Sequence, residues 1–199
     1  MKISKLDGLK KRFVIISKNY IMVFVLILIT ILTASLSSTF FTARNLVNVF
    51  RQASVIGIVS IGMHFVVIGG TFDNSVGSIV SLTGLLALGL QSDMGLWPAI
   101  AVALLVGATI GAANGMIIAL IKGNAGDSFM VTFGMQVLIQ SLALIYSGGY
   151  IIPGSELAEY NFFGKGVVGG VPVPALIFIF ISLASFVFLT KTKVGRQIY

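Results

Sequence analysis

The sequence predicts an all-α, polytopic integral membrane protein with about six transmembrane helices and a break or turn near residues 70–75. Hydrophobic residues make up 57% of the 199 residues and charged residues 10%, whereas an ordinary soluble domain is roughly 25% charged. The mean hydropathy of +1.05 comes from runs of apolar residues. A membrane helix needs about 20 such residues, with roughly 17–25 tolerated. We expect residues 1–199 to form a single transmembrane domain.

Six apolar runs are the predicted membrane spans. The first follows a long basic amino terminus and precedes further spans, which favours a retained helix over a cleaved signal peptide. The second and third are short for membrane spans, and they meet at a polar junction. The predicted spans are residues 20–36, 53–70, 75–90, 97–121, 128–147 and 172–190.

The distribution of Lys and Arg predicts the topology. With six crossings and a cytoplasmic amino terminus, ten basic residues lie in inner segments and three, Arg44, Arg51 and Lys165, lie in outer ones. If residues 53–90 formed one broken span, six would lie inside and seven outside. Cytoplasmic loops carry the excess of positive residues, so six spans with both termini inside are favoured. The net charge of +7 therefore reflects topology and does not indicate nucleic-acid binding.

The connecting segments follow from this topology. Residues 39–52 are amphipathic and are predicted to lie along the outer interface. Residues 91–96 form a short outer turn, residues 122–127 a glycine-containing inner turn, and residues 148–170 a longer outer segment.

The junction between the second and third runs carries the main candidate residues for a translocation pathway. A carboxylate at the centre of a membrane helix costs roughly 2.5–3.5 kcal/mol, so Asp73 is expected at a surface or in a protein-lined cavity. Asp73 or Asn74, together with Ser75, is predicted to cap the third helix. A solute or ion ligand at Asp73 is the alternative. Ser78 belongs to the same candidate junction, which is either a surface turn or a re-entrant break.

Three glycines spaced by four residues predict a helix packing surface. Gly107, Gly111 and Gly115 lie in the fourth predicted span. Membrane helices associate through close packing of small residues, so the stripe indicates a contact within the chain, with a subunit interface as the alternative.

The remaining polar residues predict contacts between helices, and the motifs that the sequence lacks exclude several functions. Asn114, Gln136 and Gln140 lie in predicted spans and are expected to form interhelical hydrogen bonds, with contact to a transported solute as the alternative.

The sequence has no Cys and one His, so disulfides and thiolate or His-rich metal sites are excluded. It has no phosphate-binding loop, nucleophile elbow or zinc-protease motif. We therefore expect no catalytic residue, bound cofactor or metal in this chain.

Five short strings, in a fixed order, carry a resemblance to a known family. They are NLVNVFRQAS at 45–54, IGMHFVVIGG at 61–70, FDNSVGSIVSLTG at 72–84, GAANG at 111–115 and TKVGRQIY at 192–199. From about residue 42 onward the chain resembles the permease subunits of bacterial sugar-type ABC importers, in the ribose/xylose/galactoside branch. The family's most specific string is usually D-L-S-V-G-S, and Asn74 replaces its leucine here.

The resemblance implies a function in transport, without enzymatic activity. It implies the transmembrane subunit of an ATP-driven importer for a sugar or similar small polar solute, located in the bacterial plasma membrane. The implied partners are a cytoplasmic ATP-binding subunit, which would hold the ATP, an extracytoplasmic solute-binding protein, a second permease subunit in a dimer, and membrane lipid. Family members are longer, so the chain resembles an amino-terminal portion. A segment of an ion-coupled secondary transporter, with Asp73 as the ion ligand, is the alternative.

Overall fold

The computed structural model describes residues 20–154 and 157–198, and these are helical apart from one short hairpin and the connecting turns. The predicted basic amino terminus lies outside the described residues. The elements, in chain order, are α1 (Ile21–Leu36), α2 (Ala43–Ile68), α3 (Val76–Gly89), α4 (Gln91–Met94), α5 (Leu96–Leu120), α6 (Ala125–Ser147), α7 (Ala158–Lys165), β1 (Val167–Val168), β2 (Val171–Pro172), α8 (Val173–Lys191) and α9 (Lys193–Ile198).

The helices confirm the predicted fold class, since each of the six predicted spans corresponds to one of them. Helices α2, α5, α6 and α8 are long and apolar enough to cross a membrane. Helices α1 and α3 are apolar but shorter, with 16 and 14 residues. Backbone amides and carbonyls have no water partner in lipid, so a helix that satisfies them internally is the expected structure for each apolar run.

The chain divides into two compact units, Met1–Val49 and Phe50–Tyr199. In the described part of the first unit, a turn follows α1. Thr42 Oγ1 accepts a hydrogen bond from the amide of Asn45 at 3.3 Å, and Asn45 Nδ2 donates to the carbonyl of Phe40 at 2.8 Å. These local bonds stabilise the start of α2. The single domain over residues 1–199 stays a prediction.

Two element boundaries differ from the sequence-based prediction. Residues 39–52 were predicted to form a separate interfacial segment, but residues 43–52 belong to α2, which runs without a break from Ala43 to Ile68. No Gly or Pro lies between residues 43 and 56, so nothing in that stretch interrupts the helical hydrogen bonds. The predicted outer segment 148–170 contains α7 and the β1–β2 hairpin, in which Val168 pairs with Val171.

Helix α6 begins three residues before the predicted start of its span, because a capping box precedes the apolar run. Asn124 Oδ1 accepts from the amides of Gly126 and Asp127 at 2.7 and 3.2 Å. Asp127 Oδ2 in turn accepts from the amide of Asn124 at 2.9 Å. These bonds satisfy amides that the first turn of a helix leaves free.

The second unit has its apolar core where α3 packs between α5 and α6. Helix α3 makes its most extensive contacts with these two helices. Leu82, Ile139 and Ala143 form the buried centre, and further residues of α3, α5 and α6 pack around them: Ile79, Leu85, Leu86, Val106, Ile110 and Met135. This packing fixes the position of the amino-terminal end of α3, where the candidate junction lies.

The glycine stripe contacts a neighbouring helix only in part. A Cβ on Gly107 would lie 3.3 Å from Thr83 Cγ2, so the glycine allows α3 to approach α5 closely. Gly111 and Gly115 are exposed, and a Cβ at either would meet nothing within 4 Å among the described residues. The structure therefore differs from the packing prediction at these two positions. Four residues turn an α-helix by about 40° beyond a full circle, so the stripe rotates away from α3.

Substitution of Gly107 should therefore destabilise the protein more than substitution of Gly111. A leucine at 107 would clash with Thr83 and force α3 away from α5, whereas a leucine at 111 would extend into open space. Overpacking of this kind costs about 1–3 kcal/mol. We expect a lower midpoint of thermal unfolding for Gly107→Leu in detergent and a near-normal midpoint for Gly111→Leu. Equal losses would contradict the assignment of Gly107 as the contact.

Candidate functional site

Helix α2 ends at a glycine that turns the chain into a non-helical segment. Gly70 has a φ of +78°, a left-handed conformation that favours glycine. Its amide donates to the carbonyl of Val67 at 3.0 Å, and the amide of Thr71 donates to the carbonyl of Val66 at 3.3 Å. This bonding satisfies the last carbonyls of the helix, as in other glycine-terminated helices. Residues 71–75 then connect α2 to α3 without helical structure.

Two hydroxyl groups of α6 hold this non-helical segment. Ser128 Oγ accepts from the amide of Phe72 at 3.1 Å, and Thr132 Oγ1 accepts from the amide of Asn74 at 3.0 Å. Each hydroxyl donates its own proton within α6, to the carbonyls of Ala125 and Ser128. Ser128 is 0% exposed and Thr132 is 1% exposed. The two side chains therefore replace the helical partners that these backbone amides lack.

The backbone of the segment is held against α6 within the helical bundle, while the side chains of Phe72 and Asn74 are exposed. Thr132 is seven residues after Ala125, the first residue of α6. At about 1.5 Å per residue, it lies about 10 Å from that end of the helix. Asn114, six residues before the end of α5, lies at a similar depth of about 9 Å. Helix α3 has 14 residues and begins at Val76, directly after the non-helical segment.

A chain of hydrogen bonds links the junction to α5. Asp73 Oδ1 accepts from the amide of Ser75 at 2.8 Å and from its hydroxyl at 2.6 Å. Asn114 Nδ2 donates to Ser75 Oγ at 2.8 Å. Ser78 Oγ donates to the carbonyl of Ser75 at 2.7 Å. Ser75, Ser78 and Asn114 are all buried, so the polar groups of three elements meet in an otherwise apolar bundle.

The bonding at the start of α3 differs in detail from the predicted cap. Asp73 does accept from a backbone amide, but that amide belongs to Ser75, which precedes the first helical residue. The Ser75 side chain makes no capping bond to the first turn. The Asn74 side chain is exposed and bonds to none of the described residues, although its backbone amide bonds to Thr132. Asp73 therefore bonds to Ser75 ahead of the helix, and the role of the junction residues in a pathway stays a prediction.

Of the three polar residues predicted to bond between helices, one does so. Asn114 bonds to Ser75 at the α3 junction. Within the described part of the chain, the side chains of Gln136 and Gln140 have no hydrogen-bond partner, and that of Gln140 is exposed. The sequence analysis did not identify Ser128 and Thr132 as members of the site. Their spacing of four residues, which places two hydroxyls on one helix face, was the available signal.

The arrangement presents polar atoms of the protein within a membrane bundle and contains no reactive pair. Among residues 20–154 and 157–198, no three His, Cys, Asp or Glu side chains are grouped so that they could hold a metal ion. Asp73 is half-buried and bonds to hydroxyl and amide donors. Such a junction can bind and release a polar molecule, as interrupted helices do in transporters.

Comparison with known proteins places this bundle in a family. Residues 45–199 match the family described as branched-chain amino acid transport system / permease component. The ribose import permease protein of Escherichia coli K12 is 36% identical over 193 residues, which cover 95% of this chain and 58% of that protein. The xylose/arabinose import permease protein of Sulfolobus acidocaldarius is 33% identical over 171 residues, covering 80% of this chain and 45% of that protein.

A third relative is the D-allose transport system permease protein of Escherichia coli K12, which is 30% identical over 180 residues, covering 88% of this chain and 54% of that protein. The chain thus spans about half the length of the curated relatives it matches. No solved structure matches the chain. The family predicted from the motifs is confirmed, and the chain belongs to the transport permeases of this branched-chain amino acid and sugar permease family.

Proposed function

We propose that this protein is the transmembrane subunit of an ATP-driven importer and forms part of the pathway for a sugar or similar small polar solute. The observation that carries the proposal is the α2–α3 junction, where a non-helical segment meets buried polar side chains inside a membrane bundle. Relatives named for ribose, allose and xylose/arabinose import support a sugar as the solute class. The role of Asp73, Asn74, Ser75 and Ser78 in that pathway is part of this proposal.

The proposed transport mechanism depends on conformational change and involves no chemical step in this chain. An extracytoplasmic solute-binding protein delivers the solute, and a cytoplasmic subunit binds and hydrolyses ATP. A second permease subunit completes the pathway in a dimer. ATP binding and hydrolysis shift the equilibrium between outward-open and inward-open states, as any ligand with different affinity for two states does.

Uptake into proteoliposomes tests the proposal directly. The permease is reconstituted with the ATP-binding subunit and the solute-binding protein of a ribose importer, and radiolabelled ribose is added outside. We expect uptake that needs ATP, both partners and the permease. Uptake that follows a proton or Na⁺ gradient without ATP, and that is lost in Asp73→Asn, would instead indicate an ion-coupled transporter.

Thiol labelling tests the proposed orientation, in which the amino terminus is cytoplasmic and the membrane is the bacterial plasma membrane. The printed sequence contains no Cys, so each variant carries one thiol there. Ile151, at 94% exposure, follows α6, and Lys122 precedes it. An impermeant thiol reagent should label Ile151→Cys in intact cells and label Lys122→Cys only after lysis. Lys122 already has a φ of +52°, so another non-glycine residue adds no new backbone strain. Reversed labelling would contradict the six-span topology.

A further inference from the structure

A groove in the second unit combines an apolar lining with one positively charged end. It has a volume of about 660 Å³ between α2, α5, α7 and α8, and its lining is apolar except for Arg51, Gln52 and Tyr160. Ile56, which lines it, is exposed, so the groove opens on the surface of the bundle. Along α2 the lining runs from Arg51 to Ile58, a distance of about 10 Å at the helical rise per residue.

The charged end of the groove is held in place by a hydrogen bond. Arg51 Nη2 donates to the carbonyl of Lys165, the last residue of α7, at 3.0 Å. A guanidinium carries five N–H donors in a planar fork that matches the oxygens of a phosphate, so it can bind this carbonyl and a phosphate together. The side chain of Lys165 is exposed, and no Asp or Glu among the described residues lines the groove. The local charge therefore favours an anionic group at this end.

Aromatic side chains place the same end of the groove at the membrane interface. Phe163 lines the groove two residues before Lys165, and its ring centroid lies 5.6 Å from that of Trp97. Trp97 is the second residue of α5 and is exposed. Tryptophan is enriched at the headgroup level of membranes, so Arg51 lies where lipid headgroups lie. The apolar lining then extends from that level toward the hydrocarbon.

These features select an amphiphilic ligand with a negative headgroup. A polar solute would leave the apolar lining without a partner, and a purely apolar molecule would make no use of Arg51. A zwitterionic headgroup would bring a second positive charge close to Arg51 and Lys165. We infer that the groove is a binding site for an anionic phospholipid, with the phosphate at Arg51 and an acyl chain along the apolar lining. This site is separate from the α2–α3 junction and does not depend on the proposed transport function.

Quenching of tryptophan fluorescence by brominated lipids tests this site in the full permease in vesicles. Trp97 is the one tryptophan of the 199 residues, and a brominated acyl chain quenches a nearby indole. Phosphatidylcholine vesicles contain a small fraction of brominated phosphatidylglycerol or of brominated phosphatidylcholine. One basic side chain at the membrane surface predicts about fivefold tighter binding of phosphatidylglycerol, which appears as stronger quenching at equal fraction. Trp97→Phe gives the background to be subtracted.

Variants of two arginines separate the groove from the general surface charge. Arg51→Gln should remove the preference, so that both brominated lipids quench equally, whereas Arg51→Lys keeps the charge and should retain most of it. Arg44→Gln is the matched control, since it removes the same charge from the same helix outside the groove. It should leave the fivefold preference in place. Equal losses in Arg44→Gln and Arg51→Gln would show attraction by the surface as a whole and refute the site.

A variant that fills the groove tests the position of the acyl chain. Gly164 lines the groove, and a Cβ there would meet nothing within 4 Å among the described residues. Gly164→Leu therefore adds a side chain at the groove without a clash, and it should abolish the preference. Gly62→Leu is the matched control, because Gly62 is also in open space and lies on α2 outside the groove. It should change nothing.

Several outcomes would overturn the inference. They are equal quenching by the two brominated lipids in the unchanged protein, and a preference that survives in Arg51→Gln or in Gly164→Leu. Quenching by neither lipid would show that protein, such as a second permease copy, covers the groove. If Arg51→Gln does not fold, the comparison of the two lipids in the unchanged protein and in Gly164→Leu decides.

Discussion

Asp73→Leu should strongly lower the stability and the membrane abundance of the protein, whereas Asp73→Asn should preserve most of both. Asp73 Oδ1 accepts from the amide and the hydroxyl of Ser75, a residue that is 0% exposed. Leucine leaves both donors without an acceptor, at a cost of about 1–3 kcal/mol for each buried group. Asparagine retains an oxygen acceptor and loses only the charge, which strengthens a hydrogen bond by about 1 kcal/mol.

Thermal unfolding in detergent and the amount of protein in membranes measure this difference. Asp93→Leu is the matched control, because Asp93 lies in the short helix α4 and bonds through its side chain only to the neighbouring Ser92. We expect near-normal stability for that variant. Asp73→Asn should also retain most of the transport activity of the assembled importer. A well-folded Asp73→Asn protein without transport would show that the carboxylate charge itself is required.

Removing the two hydroxyls of α6 that hold the junction should produce the second large effect. Ser128→Ala leaves the amide of Phe72 without its acceptor, and Thr132→Val does the same to the amide of Asn74. Each change should cost about 1–3 kcal/mol. Because both hydroxyls hold the same five-residue segment, the double variant should lose less than the two single losses added together. Once the first bond is gone, the segment is already partly free.

A double-mutant cycle on the midpoint of thermal unfolding measures that coupling. Ser141→Ala is the matched control on the same helix, since Ser141 is exposed and its hydroxyl bonds only to the carbonyl of Val137. It should change the midpoint little. Fully additive losses would mean that Phe72 and Asn74 are held independently. Unchanged stability in the double variant would contradict the assignment of these hydroxyls as the partners of the segment.

The helices could be predicted from the sequence because the constraint on them is local. An apolar run in lipid must bond its own backbone groups, so each of the six runs corresponds to a helix. The motifs likewise identified the family before any contact was known. The predicted helix boundaries were less accurate. The capping residue Asn124 extends α6 beyond its apolar run, and α2 begins as early as Ala43 because no Gly or Pro interrupts its first turns.

The partners of the junction could not be predicted, since they are far apart in the chain. Asn114 and Ser75 are separated by 39 positions, Phe72 and Ser128 by 56, and Asn74 and Thr132 by 58. Apolar periodicity carries no information about which of several buried polar groups will meet. That pairing depends on how α3, α5 and α6 pack around Leu82 and Ile139.

The sequence by itself determined that this protein is a helical membrane permease with a polar interruption at Asp73, because composition, run length and motif order are properties of the chain alone. Only the tertiary structure decided that α6 holds the interruption, through Thr132 about 10 Å along that helix from its first residue. It also decided that Gly107, and neither Gly111 nor Gly115, contacts α3. The physical reason is the same in both cases: helix packing determines which polar atoms and which glycines have neighbours.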